Sequence, residues 1–173
     1  MPTHLHTLIL SDTPLKEVHG ADLPRHVHTL DLQGSAVTAI FGDLPEHLHT
    51  LDLSFTPLPS FPALPPRLVR LVWIEAKFTT LTGFALPYSL CEMILYRAAD
   101  LYALDHIVLP PQLTLLDLSY SAVASMEGTS VPAMTRLVLK GTPLSRKKPA
   151  LTLAEREMIQ RFFEICDALM HRI

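Results

Sequence analysis

Three stretches of the chain carry a His-x-His phrase, at His4/His6, His26/His28 and His47/His49. Imidazole ligates zinc and copper and titrates near neutrality, so the recurrence raises two chemistries, a metal site and a proton-sensitive surface. No carboxylate or cysteine joins the phrases at a spacing that completes a compact four-ligand set, so no metal ligand and no cofactor is assigned. The proton-sensitive reading rests on repulsion, because imidazoles held side by side oppose one another once they charge, at about pH 6.

Asp31 and Asp52 stand in Leu-Asp-Leu phrases, and Asp117 repeats the arrangement further along. Two carboxylates on adjacent strands could divide acid and base work between them. No paired nucleophile, glycine-rich loop or electrophile accompanies them, so the chain is read as a non-enzyme and the aspartates as receptors for a partner's Arg or Lys. A third group sits in two consecutive phrases: Arg70, Val72, Ile74 and Glu75, then Glu92, Ile94, Tyr96 and Arg97. Strand register would set Arg70 beside Glu92 and Glu75 beside Arg97, with the apolar side chains between them. Charged pairs around an apolar centre are the anatomy of a protein interface. Phe55 and Tyr120 extend the row towards either end.

These residues need a scaffold, and the chain repeats one. A phrase of the form L-x-x-L-x-L-x-x-(T/S/A)-x-L returns seven times at intervals of 20 to 23 residues, opening near residues 1, 23, 44, 64, 86, 109 and 131. Its anchors run from Leu5/Leu8/Leu10 to Met134/Leu137/Leu139. Alternation in x-L-x-L makes a short strand with leucines inward, and repeats of this length stack into a solenoid with a parallel sheet. The return arms are proline-rich, most clearly at Pro57, Pro59 and Pro62, which predicts extended or single-turn structure rather than helix. A second apolar ladder, Val18, Ile40, Phe61, Leu81, Leu104 and Met126, should line the far wall, and Leu23, Leu44, Leu64, Leu86 and Leu109 a third.

From Thr152 the periodicity becomes helical, with Ile159, Phe162, Phe163, Cys166, Leu169 and Met170 on one face and a capping box at Thr152/Glu155. This predicts a solenoid over residues 1–144, a linker over 145–151 and a capping helix over 152–173. The first coil lacks such a cap, so its edge of Leu5, Leu8, Leu10 and Val18 should be a second place for a partner.

A length of 173 residues with 49% apolar composition suits one domain. A net charge of -3 lacks the basic field of a nucleic-acid binder. Two cysteines make no disulfide framework, and neither a signal peptide nor an apolar run of membrane-spanning length is seen. An intracellular location is expected, cytoplasmic first and mitochondrial second.

With the Leu-Pro-x-x-Leu openings and Leu-Asp-Leu-Ser strands in view, residues 1–144 resemble the leucine-rich repeat family, whose short-period members include bacterial effectors and many protist proteins. The resemblance implies an α/β solenoid with a parallel β-sheet on the concave face, a mostly non-helical convex side and a C-terminal capping α-helix. It implies a scaffold, adaptor or complex subunit that binds protein through the concave sheet. Two other roles follow by analogy: a peripheral subunit of a ribonucleoprotein, touching phosphate through Arg146, Lys147 and Lys148, and the substrate-recognition part of a ubiquitin-ligase system. Most such repeats place Asn where this chain has Thr13, Ser35, Thr56, Ala76, Ala98, Ser121 and Thr142; hydroxyls can replace it and alanines cannot.

Overall fold

The computed structural model describes residues 4–146. Among them nine three-residue strands follow one another: β1 (Thr7–Ile9), β2 (Glu17–His19), β3 (Thr29–Asp31), β4 (Ala39–Phe41), β5 (Thr50–Asp52), β6 (Arg70–Val72), β7 (Glu92–Ile94), β8 (Leu115–Asp117) and β9 (Arg136–Val138). Seven of them form one parallel sheet in the order β1-β3-β5-β6-β7-β8-β9, one strand per coil. The molecule is a parallel β-solenoid. Helix among the described residues amounts to a 3-10 turn at Gly20–Asp22 and an α-turn at Pro143–Arg146. The expected capping helix at 152–173 and the linker from residue 147 lie outside the described residues.

Register follows the leucine anchors. Leu8 pairs with Leu30, Leu30 with Leu51, Leu51 with Leu71, Leu71 with Met93, Met93 with Leu116 and Leu116 with Leu137. From Leu30 to Leu116 these side chains are fully buried. The predicted far wall and third wall pack against them, Val18, Phe61, Leu81 and Leu104 buried outright and Leu23, Leu64 and Leu86 at the core's margin. Each Leu-Pro opening makes a tight turn in which the proline carbonyl accepts from the N–H three residues on: Pro24 from Val27, Pro45 from Leu48, Pro65 from Leu68, Pro87 from Leu90 and Pro110 from Leu113.

The seventh coil departs from this plan. Its segment from Pro132 to the strand is one residue shorter, so Thr135 rather than Met134 closes the turn onto the Pro132 carbonyl. Met134, expected to point inward as an anchor, is consequently exposed.

The return arms correct a second expectation. They are extended as predicted, but β2 and β4 pair in a small second sheet, and bridges link Thr80 to Ala103 and Ala103 to Ser125. Pairing needs backbone N–H donors, which the first two arms retain through these strands; Pro57, Pro59 and Pro62 remove them from the third, which stays unpaired. That third arm contributes aromatic mass instead. Phe61 packs edge-on against Phe78 at 5.2 Å and tilted on Trp73 at 5.6 Å, with Trp73 and Phe78 4.9 Å apart. Trp73 stands where neighbouring coils use leucine, and its indole N–H is buried with no acceptor among the described residues, a cost of about 1–3 kcal/mol.

Candidate functional site

The outward side of the seven-stranded sheet brings the predicted residues together in columns. Arg70 and Glu92 stand in register and bond at 2.7 Å; Arg97 reaches Glu75 at 3.5 Å. Both pairs are well solvated, so each stabilises the fold by no more than about 1 kcal/mol. Tyr96 and Tyr120 pack with ring centroids 5.4 Å apart. The Arg97 guanidinium lies 5.8 Å from the Tyr96 ring, and the Lys140 ammonium 5.7 Å from Tyr120. Glu75, Arg97, Tyr96, Tyr120 and Lys140 therefore form one continuous strip across four coils. Lys140 was not anticipated, although it holds the same repeat position as Ile74 and Tyr96.

Val72 is only 8% exposed, a short side chain held between its register neighbours Asp52 and Ile94. Ile74 and Ile94 are half-buried.

The aspartates do structural work. Asp31, Asp52 and Asp117 each turn one carboxylate oxygen back onto the backbone, accepting from the N–H groups of Gln33 (2.9 Å), Ser54 (2.8 Å) and Ser119 (2.8 Å). These are Asx turns that end the strands. The hydroxyl column works beside them: Thr13, Ser35, Thr56 and Thr142 donate to the carbonyls three residues back, at Leu10, Leu32, Leu53 and Leu139. Ala98 has no such group, and its N–H contact with the Leu95 carbonyl stretches to 3.4 Å.

Immediately past each strand lies the feature that pattern reading missed. Asp12, Gly34, Phe55, Glu75, Arg97, Tyr120 and Gly141 hold the same repeat position, and every one is left-handed, with φ between 55° and 75°. This conformation aims each N–H at the next coil, Phe55 at the Ile74 carbonyl, Glu75 at Tyr96, Arg97 at Ser119 and Tyr120 at Lys140, all at 2.7–2.9 Å. The two glycines also make room. A β-carbon on Gly34 would come 2.2 Å from the Asp12 carboxylate, and one on Gly141 2.7 Å from the Tyr120 ring.

Histidines occupy the opposite edge of the same face. His6, His28 and His49 form a stack with centroids 4.9 and 5.0 Å apart, and His26 stacks with His47 at 6.2 Å. Stacked rings direct their nitrogens along nearly parallel lines instead of converging them on one point. No group of three or more His, Cys, Asp or Glu among the described residues is placed to hold a metal ion. Burial, followed by the charges of His6, His49, His47 and His26, depresses the pKa of His28 below the usual imidazole value. Arg67 lies 3.1 Å from His47 Nδ1, and Glu46 lies 3.2 Å from its Nε2.

No protein-family model matches this chain, and no curated protein matches it. The fold by itself places the molecule among the parallel β-solenoids. No helix among the described residues is long and apolar enough to cross a membrane.

Proposed function

We propose that this chain is a non-enzymatic protein-binding module of the leucine-rich repeat type, a scaffold or subunit that grips its partner on the strand face. Four consecutive left-handed turns carry the proposal. At Phe55, Glu75, Arg97 and Tyr120 the backbone favours glycine, which the same position accepts at Gly34 and Gly141. Holding a larger residue there costs of order 1–3 kcal/mol per site. Strain kept in four coils running, under side chains that project from the end of the sheet, is better explained by contact with a partner than by folding. Phe55 and Tyr120 are 45% and 44% exposed, sites for anchors of the kind that dominate interfaces. In the same proposal, residues 152–173 cover the last coil, where Leu137 and Leu139 are only partly buried.

Affinity purification of the tagged full chain, followed by mass spectrometry, tests the binding reading. The double variant Ile94→Ala/Tyr96→Ala should lower recovery of a specific partner at least tenfold while the protein stays folded. Unchanged recovery would remove the strand face as the binding surface.

A further inference from the structure

The middle of the strand face carries a charge pattern that matches itself. In the fourth coil Arg70 opens β6 and Glu75 holds the left-handed turn beyond it; in the fifth coil Glu92 opens β7 and Arg97 holds the turn. Signs therefore alternate around a rectangle, plus then minus along one coil and minus then plus along the next. Between the corners lie Ile74, Ile94 and Tyr96, each half-buried. Within one chain each cation already meets an anion, Arg70 with Glu92 at 2.7 Å and Arg97 with Glu75 at 3.5 Å. All four side chains stay well solvated, and a guanidinium or a carboxylate keeps hydrogen-bonding capacity after one such contact.

A second copy can be turned over about a two-fold axis lying in the face, parallel to the strands and midway between β6 and β7. The fourth coil of one chain then faces the fifth coil of the other, with each repeat position kept in line. Arg70 meets Glu92 of the second copy and Glu75 meets its Arg97, and the symmetry makes each meeting twice. At the centre Ile74 lies opposite Tyr96, and one coil further out Phe55 lies opposite Tyr120, which shares its left-handed repeat position. Apolar and aromatic side chains thus meet their own kind inside a charged border. Moving the axis half a coil, onto β6, would set Arg70 on Arg70 and Glu75 on Glu75. The other in-plane axis, along the solenoid, also matches the four corners but lays Asp31, Asp52 and Asp117 each on itself and parts Phe55 from Tyr120. The axis between β6 and β7 brings Asp52 to Asp117, whose carboxylates each already accept from their own backbone.

We propose that the strand face is an isologous interface and that its partner is a second copy of this chain, the two solenoids running antiparallel. This rests on the strand face being the binding surface and adds what it binds. The four charges fix orientation and register, while the apolar and aromatic centre supplies most of the affinity.

Light scattering behind a sizing column, on the full chain, reads the assembly. Wild type should be dimeric at micromolar concentration, and Ile94→Ala/Tyr96→Ala should weaken the dimer at least tenfold. An acidic-face variant, Arg70→Glu/Arg97→Glu, and a basic-face variant, Glu75→Arg/Glu92→Arg, should each lose association to the same degree, because every corner then meets its own sign. Mixed in equal amounts, the two should recover a one-to-one dimer. Circular dichroism of each variant verifies the fold. A monomeric wild type, a dimer untouched by the charge variants, or a mixture no tighter than its components would each overturn the assignment. If a monomeric wild type still recovers another protein, and Ile94→Ala/Tyr96→Ala lowers that recovery, self-association fails while the strand face stands as a binding surface. Unchanged recovery would remove both.

Discussion

Phe55 sets backbone strain against the binding role proposed for it. Its φ of 59° places a bulky side chain in a conformation that costs an L-residue about 1–2 kcal/mol. Phe55→Gly should therefore raise the denaturation midpoint, by about 1 kcal/mol of stability once the added chain entropy of glycine is set against the relieved strain. The same change should weaken partner recovery. A variant that is less stable than wild type would mean that Phe55 contributes packing to the fold, and the strain argument would fail. Residue-level chemistry was only partly legible in the sequence. The Arg70/Glu92 and Glu75/Arg97 pairs could be read because strand register fixes them. The Asx role of Asp31, Asp52 and Asp117 could not, since Leu-Asp-Leu looks the same whether the carboxylate faces a partner or its own backbone. The left-handed column was equally hidden: glycine marks such a position openly at Gly34 and Gly141, but Phe, Glu, Arg and Tyr give no local sign of it.

At the scale of the strand and its neighbours, the histidine stack gives the molecule a pH response. His28 has a folded pKa below its unfolded value, so between the two the unfolded chain binds more protons. The stabilisation is complete above the unfolded value, near pH 6.5, and is lost as pH falls through the depressed folded value. Denaturant midpoints should accordingly drop as pH is lowered from about 7.5 to about 5.5, and His28→Gln should flatten that slope. An identical slope in the variant would clear His28 of the effect. Elements were the most legible level. Leucine spacing located all seven strands of the main sheet, because each inward anchor must recur at coil length to be buried. The short β2 and β4 strands were missed because their pairing depends on which return arms keep their N–H groups. Met134 was misplaced because a one-residue shortening after Pro132 does not disturb the visible pattern.

For the whole molecule, stability should vary along the axis. Among the described residues an interior coil is covered on both sides and the first on one, so equal truncations should have unequal effects. Leu71→Ala should cost about 2–5 kcal/mol, as full burial demands, and Leu8→Ala, at a half-buried position, clearly less. Equal losses would show that the first coil is as well covered as the middle.

The paired return arms have a consequence for shape. Where they bridge, they advance from coil to coil at about the 4.8 Å of neighbouring strands, the same step as the main sheet on the opposite wall. Solenoids bend when one wall needs more room per turn than the other. Over the bridged arms, matched pitch gives the strand wall little cause to arch, and the surface proposed to bind a partner should there be a nearly level plank. A rounded domain would touch such a plank at few points. An elongated strand or a flat flank could lie along its full length and meet every projecting side chain from Phe55 to Lys140.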